Sequence, residues 1–457
     1  MGFQQGLSGL NSSSRALDVI SNNVANASTV GYKGATSLFA DMYASAMTGG
    51  SGGLQIGIGS RTSGIAQSFA QGNVTTTGRA LDMAINGNGF FRLERSDGTT
   101  AYSRNGQFNV DRDGFVINTG GDRLTGYAVI DSESNPSLFA GEPSAIYIDT
   151  SNMAPRETTA ASLGLNLDSR EQNPLNQDPP GSDITDFLSS GTLNPVSIPA
   201  DSYNYTTSMT VYDSLGNSSQ MNLFFVRQPD VAGVSPNTWS VYGRLSNDVI
   251  PDPTNPAVST GPELELLGAI EYNAFGVPTG STDAGGAPTA AIGQFDFART
   301  AAQLGTGADD MQFTLDLGAS TQWNAGSAVT TAPRQDGYTT GSLNGIAMSS
   351  DGTLQGTYSN DLVRDLARVT LADFANNQGL VSLGGNLWGE TRDSGQPTLG
   401  TAETGTFGRL TSGQVEESNV DLTQELVDMI VQQRNYQANA QSIKTQDALL
   451  QTLVNLR

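Results

Sequence analysis

Apolar or small side chains at Phe3, Leu7, Leu10, Ser14, Leu17, Ser21 and Val24 step by four and three alternately, which places one residue per turn on a single helix face. Near the other end Leu422, Leu426, Met429, Gln433, Tyr436, Ala440 and Ile443 keep the same step, and the stripe then shifts to Leu449, Leu453 and Leu456. Between the two stripes apolar positions recur with period two, bounded by Gly, Asn, Asp, Ser and Thr. The pattern predicts a mainly β chain with helices at its two termini. Amphipathic ends of this kind bring the termini together and leave stripes to be buried between copies. They are expected to be largely disordered in the free chain and to order on docking.

The N-terminal helix occupies the segment 1–32 and should stop between Asn26 and Gly31, where Asn-rich sequence and a glycine tolerate the left-handed conformation. Residues 33–70 read as a connector with little structure of its own. From 71 to 147, Asn86-Gly87, Asn88-Gly89, Asp97-Gly98, Asn105-Gly106 and Asp113-Gly114 favour hairpin turns, so an antiparallel β domain is expected. The same turn chemistry returns over 335–410, which makes the two stretches parts of one domain. The intervening 148–334 is then an inserted β domain, as one body or two subdomains, projecting outward as insertions at loop tips do. Residues 411–457 carry the C-terminal helix.

Composition narrows the chemistry. The chain has 457 residues and a net charge of −23, which repels phosphate backbones and anionic lipid, so neither nucleic acid nor membrane insertion is expected. Cys and His are both 0, which removes disulfides, zinc thiolate sites and every His- or Cys-based catalytic arrangement. No catalytic residue, cofactor or metal ligand is expected. Lysine occurs only at Lys33 and Lys444. No apolar run is long enough to span a bilayer, and the N-terminus lacks the charged, apolar and small-residue blocks of a cleaved signal. A β-rich, acidic, His-free chain also fits a secreted glycosidase working with two carboxylates. Trp239, Trp323 and Trp388 are too scattered to line its cleft.

Particular residues carry two readings each. Asn22, Asn23 and Asn26 are either bonding groups between subunits or ordinary helix-end caps. Gln432, Gln433, Asn435, Gln437, Asn439 and Gln441 either line a polar channel or form a solvated face; amides in place of Lys and Glu favour the channel. Asp111 and Asp113, like Asp213, Asp336 and Asp351, read as turn residues, because the further oxygen ligands of a calcium loop are missing. Glu416, Glu417 and Asp421 read as acids opposing the positive end of the C-terminal helix, with Ser418 and Asn419 as caps.

Three blocks resemble one family. SNNVANASTVGYK at 21–33, NGNGFFRLERSDGTTAYSRNGQFNVDRDGFVINTGGDRLTGY at 86–127 and ESNVDLTQELVDMIVQQRNYQANAQSIKTQDALLQTLVNL at 417–456 are similar, in that order, to the axial proteins of the bacterial flagellum, its rod, hook and hook-associated subunits. The length and the insertion match the hook branch, with a distal rod or other axial protein as the alternative. The chain departs from the family at Asp361, where glycine usually follows Ser-Asn.

The resemblance implies a structural, non-enzymatic subunit of the curved, bendable hook, which carries torque from rod to filament in motility. The terminal helices would form an inner coiled coil, the β domain a middle shell and the insertion the outer surface. The assembly interface would use Leu7, Leu10, Leu17, Ile20, Asn22, Asn23, Asn26, Thr29, Gly31 and Tyr32 at one end. At the other it would use Leu422, Leu426, Met429, Ile430, Tyr436, Ile443 and Leu450. Phe39 and Tyr43 either match the short pattern that the family's export gate reads or belong to a small amphipathic turn packing on a neighbour. Implied partners are further copies in a homopolymer, the distal rod protein, the hook-filament junction protein, the hook cap protein, the hook-length control protein and the flagellar type III export apparatus. The implied location is extracellular, in the hook of the flagellum, after export without a cleaved signal.

Overall fold

The computed structural model describes residues 2–43, 57–131, 138–177, 180–187, 198–229, 237–246, 251–252, 255–259 and 264–455. It divides into two compact units, Met1–Thr150 with Leu343–Arg457, and Ser151–Ser342. The described helices are α1 (Gly2–Ala25), the single turn α2 (Ala301–Leu304) and α3 (Leu422–Asn455); the rest of the regular structure is mostly strand.

In the first unit the two separated stretches share one 13-stranded sheet. Val363–Val369 pairs with Arg123–Asp131, Leu387–Gly389 with Thr100–Ser103, and Leu371–Asp373 with Phe90–Glu94. Period-two alternation explains why both faces are covered. Phe91 and Leu93 join Met83, Ile85, Phe108 and Leu124 in the main core, while Phe90 faces the other way among Tyr102, Phe374 and Trp388. Asp111 closes a turn by accepting from the Asp113 and Phe115 amides at 2.9 and 2.8 Å, with Gly114 at φ 88°. Asp361 sits at φ 61°, the left-handed region that favours glycine, and its amide donates to Tyr358 O at 3.1 Å to close the turn.

The second unit is two sheets over one core. Gln294–Arg299, Met311–Asp316, Ala160–Asn166 and Ala328–Gln335 form one, and Tyr205–Tyr212, Ser218–Arg227, Thr238–Leu245, Glu265–Tyr272 and Pro278–Asp283 the other. Leu163, Leu165, Val211, Phe225, Trp239, Phe297 and Phe313 interlock between them. Ala328–Gln335 pairs with Ala160–Asn166, so the unit extends past 334 to Ser342. Asp336 departs from the turn reading: its carboxylate accepts from the Thr159 and Ala160 amides and pairs with Arg156.

The connector expected over 33–70 is instead a long antiparallel hairpin, β1 (Ala35–Tyr43) and β2 (Gly57–Gln67), with register shifts at Leu38/Phe39 and Met42/Tyr43. Its second strand is rich in Gly and Ser and looks like a linker, but those small residues let it lie against α1. The Ser12 and Ser60 hydroxyls meet at 3.1 Å, and the Ser60 amide donates to Ser8 Oγ at 3.3 Å. The helices are also shorter than the segments assigned to them. α1 stops at Ala25, and 414–416 is a strand paired with Val74–Thr76 before α3 begins at Leu422.

Candidate assembly site: the paired termini and their root

α1 and α3 run antiparallel within one chain. A Cβ placed on Gly6 would lie 2.9 Å from Ile443 Cγ1 and one on Gly9 2.8 Å from Asn439 Nδ2, while Asn23 donates to Glu425 at 2.9 Å. Glycine at 6 and 9 removes the side chains that would hold the helices apart. The face of α1 that is buried is therefore its small-residue face, with Gly6, Ser12, Ser13 and Ala16 covered. The expected meeting of the termini is thus present, but on α1 it is small residues and not the leucine stripe that make the close contact, with Ile443 of the α3 stripe against Gly6.

Consequently the stripes remain on the surface. Leu7 is exposed, while Leu10, Leu17 and Ile20 are half-buried. On α3, Leu422, Leu426 (45 %), Val427, Ile430 (51 %) and Val431 form an exposed apolar band, Tyr436 and Leu450 are exposed, and Met429 and Ile443 are half-buried against the pairing face. α3 has 34 residues against 24 in α1, a difference of about 15 Å at about 1.5 Å per residue, so its last turns pass beyond the start of α1. Leu456 and the side chain of Leu453 lie outside the described residues. Phe39 is exposed on the hairpin, and Tyr43 ends β1 with its side chain outside the described set.

The Asn block separates into unlike members. Asn23 is 1 % exposed and bonds fully within the chain: it donates to Ala35 O at 2.8 Å and to Glu425, and accepts from the Ala35 amide at 3.0 Å and the Tyr32 hydroxyl at 3.2 Å. Burial raises the Glu425 and Tyr32 pKa values. Asn26 donates to Asn22 O at 2.9 Å and accepts from Thr29 Oγ1 at 3.2 Å, which is end-capping; Asn22 donates to the Tyr32 hydroxyl at 3.1 Å. Gly31 has φ 72° and packs so closely that a Cβ would meet the Asn105 amide at 2.5 Å.

Below the helices lies a cluster that sequence reasoning missed. Lys33 Nζ donates to Glu416 Oε1 at 2.5 Å and Ala70 O at 2.8 Å, and Arg104 donates to Glu416 Oε2 at 3.3 Å. The Gly72 amide adds a bond to Glu416 Oε1 at 2.8 Å, and the Gly31 amide donates to Glu416 O at 2.8 Å. Lys33 and Glu416 are fully buried. Desolvation pushes the Lys33 and Arg104 pKa values down, opposed by the Glu416 charge. Glu416 is thus not a helix-dipole acid. The helix cap is Asp421, which accepts from the Thr423 amide at 2.8 Å, and Asn419 instead holds Gly34 N at 2.8 Å and the Ser68 and Ala70 carbonyls. The signal available in the sequence was the rarity of lysine, with Lys33 directly after the Gly-Tyr pair.

The chain is 42 % identical over its whole length to the flagellar hook protein FlgE of Escherichia coli, and covers all of that protein. The chain belongs to the flagellar hook protein family. Against the flagellar hook protein FlgE of Treponema pallidum the identity is 30 %, over 99 % of this chain and 98 % of the relative. Family matches follow the architecture: flagella basal body rod protein at 3–33, flagellar hook protein FlgE/F/G D1 domain at 84–153, flagellar basal body protein FlaE D2 domain at 166–338, and flagellar basal body rod FlgEFG protein C-terminal at 411–456. The hook protein FlgE2 of Helicobacter pylori shares the fold, with TM-score 0.50 and 17 % identity over 74 % of this chain and 98 % of that one. This hook-family chain is a structural protein of the flagellum, and the hook is the flagellar universal joint. Among the described residues no helix is long and apolar enough to cross a membrane.

Proposed function

We propose that the chain polymerises with further copies of itself through the faces its terminal helices leave exposed, and that the resulting tube carries torque while it bends. The observation that carries this reading is the apolar band Leu422, Leu426, Val427, Ile430 and Val431, exposed on a helix whose other face is already paired with α1. Covering each of these half-exposed side chains contributes about 1 kcal/mol, so a band repeated on every copy supplies a cooperative interface. Leu7, Leu10, Leu17 and Ile20 of α1 extend the same surface, as do Tyr436 and Leu450 of α3. Head-to-tail use of unlike patches on identical copies yields an open helical polymer. The exposed amides Gln433, Asn435, Gln437 and Gln441 suit an uncharged lumen.

In this reading the protein is not an enzyme. The tube is extracellular, its subunits leave the cell through the flagellar type III export apparatus without a cleaved signal, and Phe39 with Tyr43 serve export. The tube joins the distal rod protein below and the hook-filament junction protein above, and grows under a hook cap protein to a length set by the hook-length control protein. The nested domains, helices inside, β domain between and inserted domain outside, would form the tube's layers.

The test replaces Leu422, Leu426 and Ile430 with Glu together. Electron microscopy should show no tubes, while the melting of both β units stays as in the parent. Tubes of ordinary diameter from this variant would overturn the reading.

A further inference from the structure

The faces through which α1 and α3 meet are repetitive. On α3 the half-buried positions include Gln432, Asn439 and Gln446, three amides at heptad spacing; on α1 the buried Gly6, Ser13 and Ala16 and the half-buried Gly9 are all small. Sliding one helix along the other by seven residues, about 10 Å at about 1.5 Å per residue, therefore places an amide opposite Gly9 again. Small and amide side chains lose little in such a slip. Register in paired helices is normally fixed by a position that has no equivalent one repeat away, often a polar one.

Two such positions exist: Asn23, bonded to Glu425 on α3 at 2.9 Å, and a charged one at the root of the helices. Lys33, Glu416 and Arg104 form a dry cluster of two cations and one carboxylate, contributed by the segment leaving α1, the strand entering α3 and the β shell. It has no second copy along either helix, and Lys33 is one of only two lysines in the chain, the other being Lys444. Arg104 Nε is buried without a partner, and its guanidinium stands 5.2 Å from the Phe90 ring. Desolvation makes such clusters weak sources of stability, and their best-attested service is registry. A slip of α1 would drag Lys33 from Glu416 and leave buried charge unpaired, a cost that the repetitive faces do not impose.

We propose that the Lys33–Glu416–Arg104 cluster is a register latch, fixing which turn of α3 faces each turn of α1. It acts before any contact with another copy, so it holds whether or not the termini polymerise.

The absence of cysteine makes the test direct. In the full chain, Gly9→Cys with Asn439→Cys reports the observed register, since a Cβ on Gly9 lies 3.0 Å from Asn439 Cγ, within disulfide reach. Gly9→Cys with Gln446→Cys reports the slipped one. Each pair is oxidised at high dilution, and intramolecular cross-link is quantified on a non-reducing gel. With the cluster intact, the first pair should close and the second should not. Lys33→Met, which leaves one cation against one carboxylate, should lower the ratio of first to second yield at least tenfold. The triple variant Lys33→Met, Arg104→Met, Glu416→Leu should do the same while keeping a cooperative melt of the β shell. An unchanged ratio in both would overturn the proposal. Loss of the cooperative melt in the triple variant would also overturn it, by showing that the cluster holds the shell together.

Discussion

Replacing Asn23 with Ala removes the residue that ties α1, the start of β1 and α3 together. Four bonds disappear, with Ala35 O at 2.8 Å, Glu425 at 2.9 Å, the Ala35 amide at 3.0 Å and the Tyr32 hydroxyl at 3.2 Å. Glu425 and Tyr32 are half-buried and regain water, so their loss is small. Ala35 is half-buried at the start of the hairpin, so its unpaired amide and carbonyl cost about 1–2 kcal/mol each, the lower part of the range for buried groups. The sum is about 2–4 kcal/mol. A single unfolding free energy is poorly defined for a chain of several domains, so native-state hydrogen exchange of the α1 amides is the suitable assay. That cost corresponds to exchange faster by about 30- to 900-fold, at about 1.4 kcal/mol per decade. Asn22→Ala, at an exposed position, should change the same amides less than about threefold, as surface substitutions do. Asn23→Asp keeps the acceptors but loses both donors and sets a negative charge against Glu425, so at neutral pH it should be at least as damaging as Ala. It should recover as acid protonates the new carboxyl. Equal and small effects of Asn23→Ala and Asn22→Ala would refute the hub.

Two further outcomes follow from packing and burial. A Cβ on Gly106 would lie 1.6 Å from Met83 O, in a segment where Met83 N donates to Gly106 O at 2.8 Å, so Gly106→Ala must separate two backbones. It should cost about 3 kcal/mol or more and lower the melting of the first unit while the second unit melts as before, measured by calorimetry. Tyr102 is raised from 10.0 to about 12, chiefly by burial and further by its bond to Glu390. A raised acid gives stability present below the unfolded value and lost as pH climbs, so its share should vanish between pH 10 and about 12, and ultraviolet titration should show Tyr102 among the late tyrosines, with Tyr32, Tyr242 and Tyr272. Glu390→Gln should bring that titration to lower pH.

The legible part of this chain was periodic. The four-three stripes announced helices at both ends, and the alternating strands with Asp-Gly and Asn-Gly turns announced β structure, because backbone geometry imposes those periods on any sequence that buries one face. Phe91 against Phe90 shows the limit: adjacent aromatics read as a breach of alternation until the sheet is seen to be covered on both sides. The hairpin over 33–70 was illegible because β2 is Gly and Ser-rich, and only the groove beside α1 makes small residues an asset there. Which helix face pairs was likewise undecided. Apolar spacing marked Leu7 and Leu426, yet close approach favours Gly6 and Gly9, and so these two leucines stay exposed. The Asn block looked uniform in sequence and is not: Asn23 alone is enclosed. Lys33, Arg104 and Glu416 meet across 383 and 312 residues of chain, and no local pattern encodes that. Sequence alone determined the terminal helices, the β class between them and the family, since these rest on local order along the chain. Tertiary structure alone decided the pairing face and the buried charge cluster, since both depend on which distant segments exclude water together.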